Sequence, residues 1–207
     1  YKRQTLMIPV NLRNYFPSQS MGNFFGWIEV GYKFEENTTF EQLLQSVKDQ
    51  FKEKLQKDRI AMDMNGYVRL EKNPFIRAVP LEIKRYFLIA GANLGGRSIT
   101  AVYSNIGILK FPPEYKAYID RFGIFASTNS LQVCSCSYED QFVVDFTSKI
   151  PDDRIQKNFV RMLKEEGISC KEEKNEFPGC GETQKKEDRK VMQTFTFLCL
   201  AVAVICG

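Results

Sequence analysis

The sequence contains no histidine. Without an imidazole the chain has no side chain whose ordinary titration falls near neutral pH, so the commonest general base is missing. A serine or cysteine nucleophile would need another base, and neither Ser-x-x-Lys nor Gly-x-Ser-x-Gly occurs. The six cysteines include no Cys-x-x-Cys pair, and with no histidine beside them a zinc site is poorly supported. Cys180, in Pro178-Gly-Cys-Gly181, resembles one half of a metal knuckle whose other half is absent. A phosphate loop is lacking too: Gly95-Gly96 has no Lys-Ser/Thr after it and reads as a helix stop. Lys and Arg number 29 against 25 Asp and Glu, a net charge of +4, yet no basic stripe is interleaved with aromatics, which argues against nucleic acid. Residues 1–10 have no apolar core and no small-residue cleavage site of the signal-peptide kind.

The most pronounced positive feature is the run 191–207, which carries no charged side chain. A spanning helix takes about 20 mostly apolar residues. The run is expected to be the start of a transmembrane helix that the sequence truncates; a buried C-terminal helix or strand is the alternative. Before it, residues 170–190 are charged, poor in apolar side chains and broken by Pro178-Gly179. That composition cannot bury a core and reads as a flexible linker. Lys185, Lys186, Arg189 and Lys190 flank the apolar run, which places the preceding lobe on the cytoplasmic side of a membrane with acidic headgroups. Cys134 and Cys136 alternate in an apolar stretch, where cysteine serves as a small buried hydrophobe in a reducing compartment.

Residues 1–169 are long enough for one domain with its own core. Thr5 to Leu12 reads as a strand near a sheet edge or as the end of a strand, because it holds Pro9. Ile28, Val30, Tyr32 and Phe34 alternate onto one face of a second strand. Thr39 with Gln42 forms a capping-box pattern, and Phe40, Leu43, Leu44, Val47, Phe51 and Leu55 follow at helical spacing. A further helical stretch is expected over about 66–77, interrupted by Pro74, and another from Leu81 to Gly91 after Pro80. Ser98 to Ser104 reads as a strand ending in Asn105-Ile-Gly107, and 122–125 as a short strand. Leu131–Tyr138 and Gln141–Thr147 form a hairpin turning at Glu139-Asp140, and Pro151 opens a closing helix that stops at Gly167. The order implies an α/β fold with a mixed, largely antiparallel sheet and helices packed on it. Asp145, set between Val144 and Phe146, is either functional or outward-facing.

Five stretches together resemble the C-terminal half of the acyl-CoA-dependent acyltransferases, and of the bacterial alcohol acetyltransferase-like proteins among them. They are Ile8-Pro-Val-Asn-Leu-Arg-Asn-Tyr-Phe-Pro-Ser18, Met21-Gly-Asn-Phe-Phe-Gly26, Ser104-Asn-Ile-Gly107, Ser137-Tyr-Glu-Asp-Gln-Phe-Val-Val-Asp145 and the helix from 151 to 167, in order over residues 6–168. The resemblance implies one lobe of a chloramphenicol acetyltransferase-like fold, in which two lobes meet at a tunnel. It implies acyl-CoA as co-substrate, an alcohol or amine acceptor, the N-terminal lobe of the same protein as partner, and no metal. The general base of that family is a histidine in a His-His-x-x-x-Asp-Gly motif on the other lobe, which this chain lacks; no catalytic residue is assigned here. The family's Asp-Phe-Gly-Trp-Gly motif is absent as well, and Phe25-Gly-Trp27 lies in a different place. Arg13, Asn23, Asn105 and Gly107 match motif positions near the tunnel and are the candidate substrate-binding residues. Read locally, Arg13 pairs with an acid, Asn23 fixes the start of a strand, and Asn105-Ile-Gly107 closes a turn.

The resemblance thus implies a lobe that is inactive alone and that exposes an apolar face toward its partner. Two rivals remain at this stage. One is a non-catalytic, membrane-tethered binding or scaffold module derived from the same fold; the other is part of a condensation-type enzyme.

Overall fold

The alternation through Ile28 and Val30 places both side chains on the helix-covered face of a five-stranded sheet. A computed structural model describes residues 3–96, 98–126, 131–149 and 152–173. Its strands are β1 (Arg3–Asn11), β2 (Phe25–Lys33), β3 (Ala101–Leu109), β4 (Leu131–Tyr138) and β5 (Gln141–Ser148), in the spatial order β2-β1-β3-β4-β5. The two outer pairs, β1–β2 and β4–β5, are antiparallel, whereas β1–β3 and β3–β4 are parallel. The sheet is therefore mixed, as expected, but evenly so rather than largely antiparallel. The β1–β3 pair follows from the long α-helical crossover that separates β2 from β3, and the β3–β4 pair from the long connection over residues 110–130.

Residues paired across neighbouring strands share a face. Leu6, Ile8, Ile28, Val30, Ala101, Tyr103, Leu131 and Val133 form one buried face, closed by Leu43, Val47 and Phe51 of helix α1 (Phe40–Lys54). Burying a side chain of this size contributes roughly 1.5–3 kcal/mol. The Thr39–Gln42 capping box is present in both directions and sets where α1 begins. Gln50 ties α1 to the sheet by donating to the Gly31 carbonyl and accepting from its N–H. Helix α5 (Arg154–Glu165) covers the other half, with the Phe159 ring 5.3 Å from that of Phe146. The opposite face, over β4 and β5, is covered by the irregular chain from 110 to 126. There Phe111 stacks on Phe122 and Tyr138, and Cys136 donates to the Phe122 carbonyl.

Several expectations need correction. β1 is an interior strand rather than an edge, and of the two expectations for Pro9 the strand end holds: the β1–β3 ladder reaches only Leu6–Ala101 and Met7–Val102, so no β3 acceptor awaits a donor at position 9. The second helix, α2 (Lys57–Lys72), starts earlier than its apolar periodicity suggests, and α3 (Pro74–Ala78) is separate from it. Proline drives Asn73 to an extended conformation, and the freed Asn73 side chain caps α3. Helix α4 (Leu81–Gly96) runs on through Gly91 and Asn93. Residues 122–125 form no strand. The hairpin at Glu139-Asp140 is present, with Glu139 in the left-handed region at φ 52° and ion-paired to Lys116. Among the described residues no helix is long and apolar enough to cross a membrane. The apolar run 191–207 and Cys180 lie outside the described residues, as does Pro151.

Asp152 accepts from the Arg154 backbone and guanidinium, which holds its carboxyl below the ordinary value of 3.8. A carboxyl depressed on folding stabilises above its unfolded pKa, and that contribution is lost as pH falls through the lower folded value. The urea midpoint advantage of the wild type over Asp152→Asn is accordingly expected to be constant above about pH 5 and to shrink in the acid range below about pH 4. A pH series of urea melts checks this; an advantage that persists unchanged to the lowest pH would refute it.

Candidate functional site

The strands β1, β3 and β4 run in the same direction, so their C-terminal ends share one edge of the sheet. The N-terminal ends of β2 and β5 lie there too, because each pairs antiparallel with a neighbour. In sheets with parallel strands this edge is where ligands collect. All four candidate residues reach it: Arg13 and Asn23 in the connection between β1 and β2, and Asn105 and Gly107 on β3.

Arg13 follows β1 in a short turn (Leu12–Asn14), which Asn11 begins by accepting from the Arg13 N–H. Its guanidinium donates to the carbonyls of Ser20 and Gly22 at 2.6 and 2.8 Å and lies over the Phe24 ring. No acid is its partner in these contacts. Arg13 instead ties the connection between β1 and β2 into one shape. Asn23 is exposed within that clamped segment, immediately before Phe24, whose carbonyl accepts from Leu12.

Asn105 and Gly107 do not end β3, as the sequence suggested; they form a bulge inside it. Asn105 pairs with Ser135 and Ile108 with Ser137, so Ile106 and Gly107 together stand opposite Cys136. Gly107 holds φ at 80°, and its N–H donates to Asn105 Oδ1 at 2.9 Å. A bulge re-aims the side chains that follow it. Ile108 now lies in a row with Ser137 and Phe142, and Ile108 and Phe142 are 70% and 51% exposed. With the exposed Ile106 they make an uncovered apolar rim at the ends of β3 and β5; Phe25 is exposed at the start of β2. Beneath it the Tyr103 hydroxyl bonds Ser135 at 2.8 Å in the interior.

Asp145 is neither outward nor a catalytic acid by its contacts. Its Oδ2 accepts from the Ile124 N–H at 2.7 Å and presses close to Gly123, where a Cβ would approach within 2.9 Å. It pins the irregular 122–125 stretch over β5. Sequence singled out this carboxylate by its apolar neighbours, but nothing in the sequence names a backbone N–H as its partner. Burial pushes the Cys134 and Cys136 thiols upward, and Asp145 adds to both shifts, so neither is a thiolate nucleophile near neutral pH. Among the described residues no group of His, Cys, Asp or Glu is arranged to hold a metal ion.

The Arg13–Asn23 pair and the Asn105–Gly107 pair thus arrive on neighbouring strands at one edge. They shape backbone there; none is placed to abstract a proton.

Two expectations follow. In Gly107→Ala the new Cβ meets nothing within 4 Å, so the cost is the left-handed backbone alone, about 1–2 kcal/mol, with Gly107→Asn milder. Equilibrium urea denaturation measures both, and equal losses in the two variants would contradict the bulge geometry. Asp145→Ala leaves the Ile124 N–H without its acceptor, at a cost of about 1–3 kcal/mol, while Asp145→Asn keeps one. Amide exchange at Ile124 should quicken sharply in the first variant and little in the second.

No family model, curated protein or solved structure matches this chain.

Proposed function

We infer that this chain is the C-terminal lobe of an acyl-CoA-dependent O-acyltransferase of the alcohol acetyltransferase-like kind. The carrying observation is spatial: motif stretches far apart in sequence, around Arg13–Asn23 and Asn105–Gly107, meet at one sheet edge beside an exposed apolar rim. A second lobe seated on that rim would turn the edge into the wall of a tunnel. In this reading the bulge at Gly107 and the Arg13-clamped connection shape the wall. The partner lobe's histidine would take the proton from the acceptor hydroxyl as its oxygen attacks the thioester carbonyl; the C–S bond then breaks, and the CoA thiolate leaves with that proton as the thiol. The lobe lies at the cytoplasmic side of a membrane.

The absence of histidine keeps the scaffold-module reading in view, because a lobe that binds without catalysis needs no base.

The reading requires a His-His-x-x-x-Asp-Gly motif encoded ahead of Tyr1, within about one lobe's length, on the order of 150–200 residues. The upstream open reading frame decides it: finding the motif supports the acyltransferase, and a reading frame that begins near Tyr1 overturns it. The purified chain alone should release no thiol from acetyl-CoA in the presence of an alcohol. Turnover that disappears on mutating a residue of this chain would show that it carries its own catalytic group, against this reading.

A further inference from the structure

Helix α5 ends by turning the chain back. Gly167 holds φ at 81°, its N–H donates to the Lys164 carbonyl, and the Ile168 N–H donates to the Leu163 carbonyl. This paired closure of the last turn needs a left-handed residue and sends the chain off the helix axis. Residues 171–173, which the sequence reads as the start of a flexible linker, are accordingly seated on the lobe. Glu172 meets Lys164 of α5 at 2.9 Å, and Glu173 meets Arg121 at 2.9 Å and Lys171 at 3.0 Å. Hydrogen bonds from Lys171 and then from Arg121 hold the Glu173 carboxyl below its ordinary value.

Arg121 belongs to the irregular strap from 110 to 126 that covers β4 and β5. It directly precedes Phe122, whose carbonyl accepts from the Cys136 thiol at 3.3 Å. Two residues beyond Phe122, the Ile124 N–H is held by Asp145. Earlier in the strap, Lys116 is paired at 2.8 Å to Glu139 in the β4–β5 turn. The strap is thus fixed from beneath by β4 and β5, and Glu173 ties it to the chain that leaves α5. Under it Cys136 is 1% exposed. Burial also pushes that thiol upward, so the closed strap both hides the sulfur and keeps it protonated.

Ion pairs on this surface are weak. The side chains of Arg121 and Glu173 are 38% and 54% exposed. An exposed pair shifts an equilibrium by less than about fivefold. As a source of stability such pairs count for little, but weakness suits a contact that has to release. Salt or a competing charge undoes them and leaves the buried thiol–carbonyl bond and the aromatic packing intact. Glu172 and Glu173 are adjacent in sequence and grip different elements, so whatever draws them away frees α5 and the strap together.

We propose that Glu172 and Glu173 form an electrostatic latch between the chain leaving α5 and the strap. Seated, it keeps the strap closed over Cys136; drawn away, it lets the strap lift and bare the thiol. The latch uses no residue of the sheet-edge rim, so it stands whether or not the acyltransferase reading does.

The test follows alkylation of Cys136 by N-ethylmaleimide in the full chain, resolved from the other cysteines by peptide mass spectrometry. With the reagent slow against reclosing, the rate reports the fraction of chains whose strap is open. At low salt, Glu172→Gln with Glu173→Gln should quicken Cys136 labelling about three- to tenfold. At about 1 M salt, where the screening length is about 3 Å, the wild type should approach that double variant. Arg121→Glu alone should quicken labelling too, and Arg121→Glu with Glu173→Lys should restore much of the slow rate. Unchanged amide exchange in β1 shows that each variant is folded. Equal labelling of Cys136 in the wild type and the double variant at low salt overturns the proposal. So does a charge swap that labels as fast as Arg121→Glu alone, since the pair would then not be what holds the strap.

Discussion

The sheet depends on a very short junction. β1 and β3 pair over only Leu6–Ala101 and Met7–Val102, and this ladder joins the β1–β2 hairpin to the three strands that follow. Thr5 and Thr100 extend it: the Thr100 N–H donates to the Thr5 carbonyl, and the Thr5 N–H donates to the Thr100 hydroxyl. So short a ladder is held by what packs over it. Leu6 and Ala101 are essentially inaccessible to water, and both lie in the apolar cluster that α1 closes. Everything placed at the C-terminal edge inherits its position from this junction. Arg13 stands beyond the end of β1 and Asn105 toward the end of β3, so the register at Leu6–Ala101 sets how the two reach the edge together. The junction also has a sequence-distance cost: its two sides are separated by all four crossover helices, so it forms late if local contacts form first.

How legible this was in the sequence varied with the physics of each element. α1 was plain because its cap and its apolar stripe agree: Thr39 and Gln42 fix the start, and Leu43, Val47 and Phe51 fix the face. The β4–β5 hairpin was equally plain, since two alternating runs flank a two-residue turn. Pro9 is compatible with a sheet edge or a strand end, and only the pairing decides: the neighbouring ladder stops short of it, near the end of β1. The stretch 122–125 looked like a strand because Phe122 and Phe125 flank Ile124. In the fold its Ile124 N–H goes to a carboxylate, a partner that local pattern cannot reveal. α2 and α4 were under-read for a common reason. Their apolar residues do not fall on one buried face, so periodicity gave no clean beginning or end.

The candidate residues were legible only through family likeness. Nothing in the spacing of Arg13, Asn23, Asn105 and Gly107 says that they share a sheet edge; the strand order does. Their local alternatives fared differently. Arg13 meets carbonyls and an aromatic face rather than an acid. Asn105 does close a loop of backbone onto Gly107, but within a strand rather than after it. The apolar rim of Ile106, Ile108 and Phe142 was invisible at the sequence level, since apolar residues in strands are ordinarily read as core.

The bulge at Gly107 works as a parity switch. Before it the odd-numbered residues of β3, Ala101 and Tyr103, face the helix-covered side; after it the even-numbered Ile108 shares that side with Ser137 and Phe142. One inserted residue lets a single strand be core at one end and presenting surface at the other. Were the same residues to pair without the bulge, strict alternation would set Gly107 opposite Ser137 and turn the Ile108 side chain to the opposite face. The bulge therefore decides which side chain of β3 joins the row of Ser137 and Phe142, and a change of composition elsewhere along the strand leaves that choice untouched.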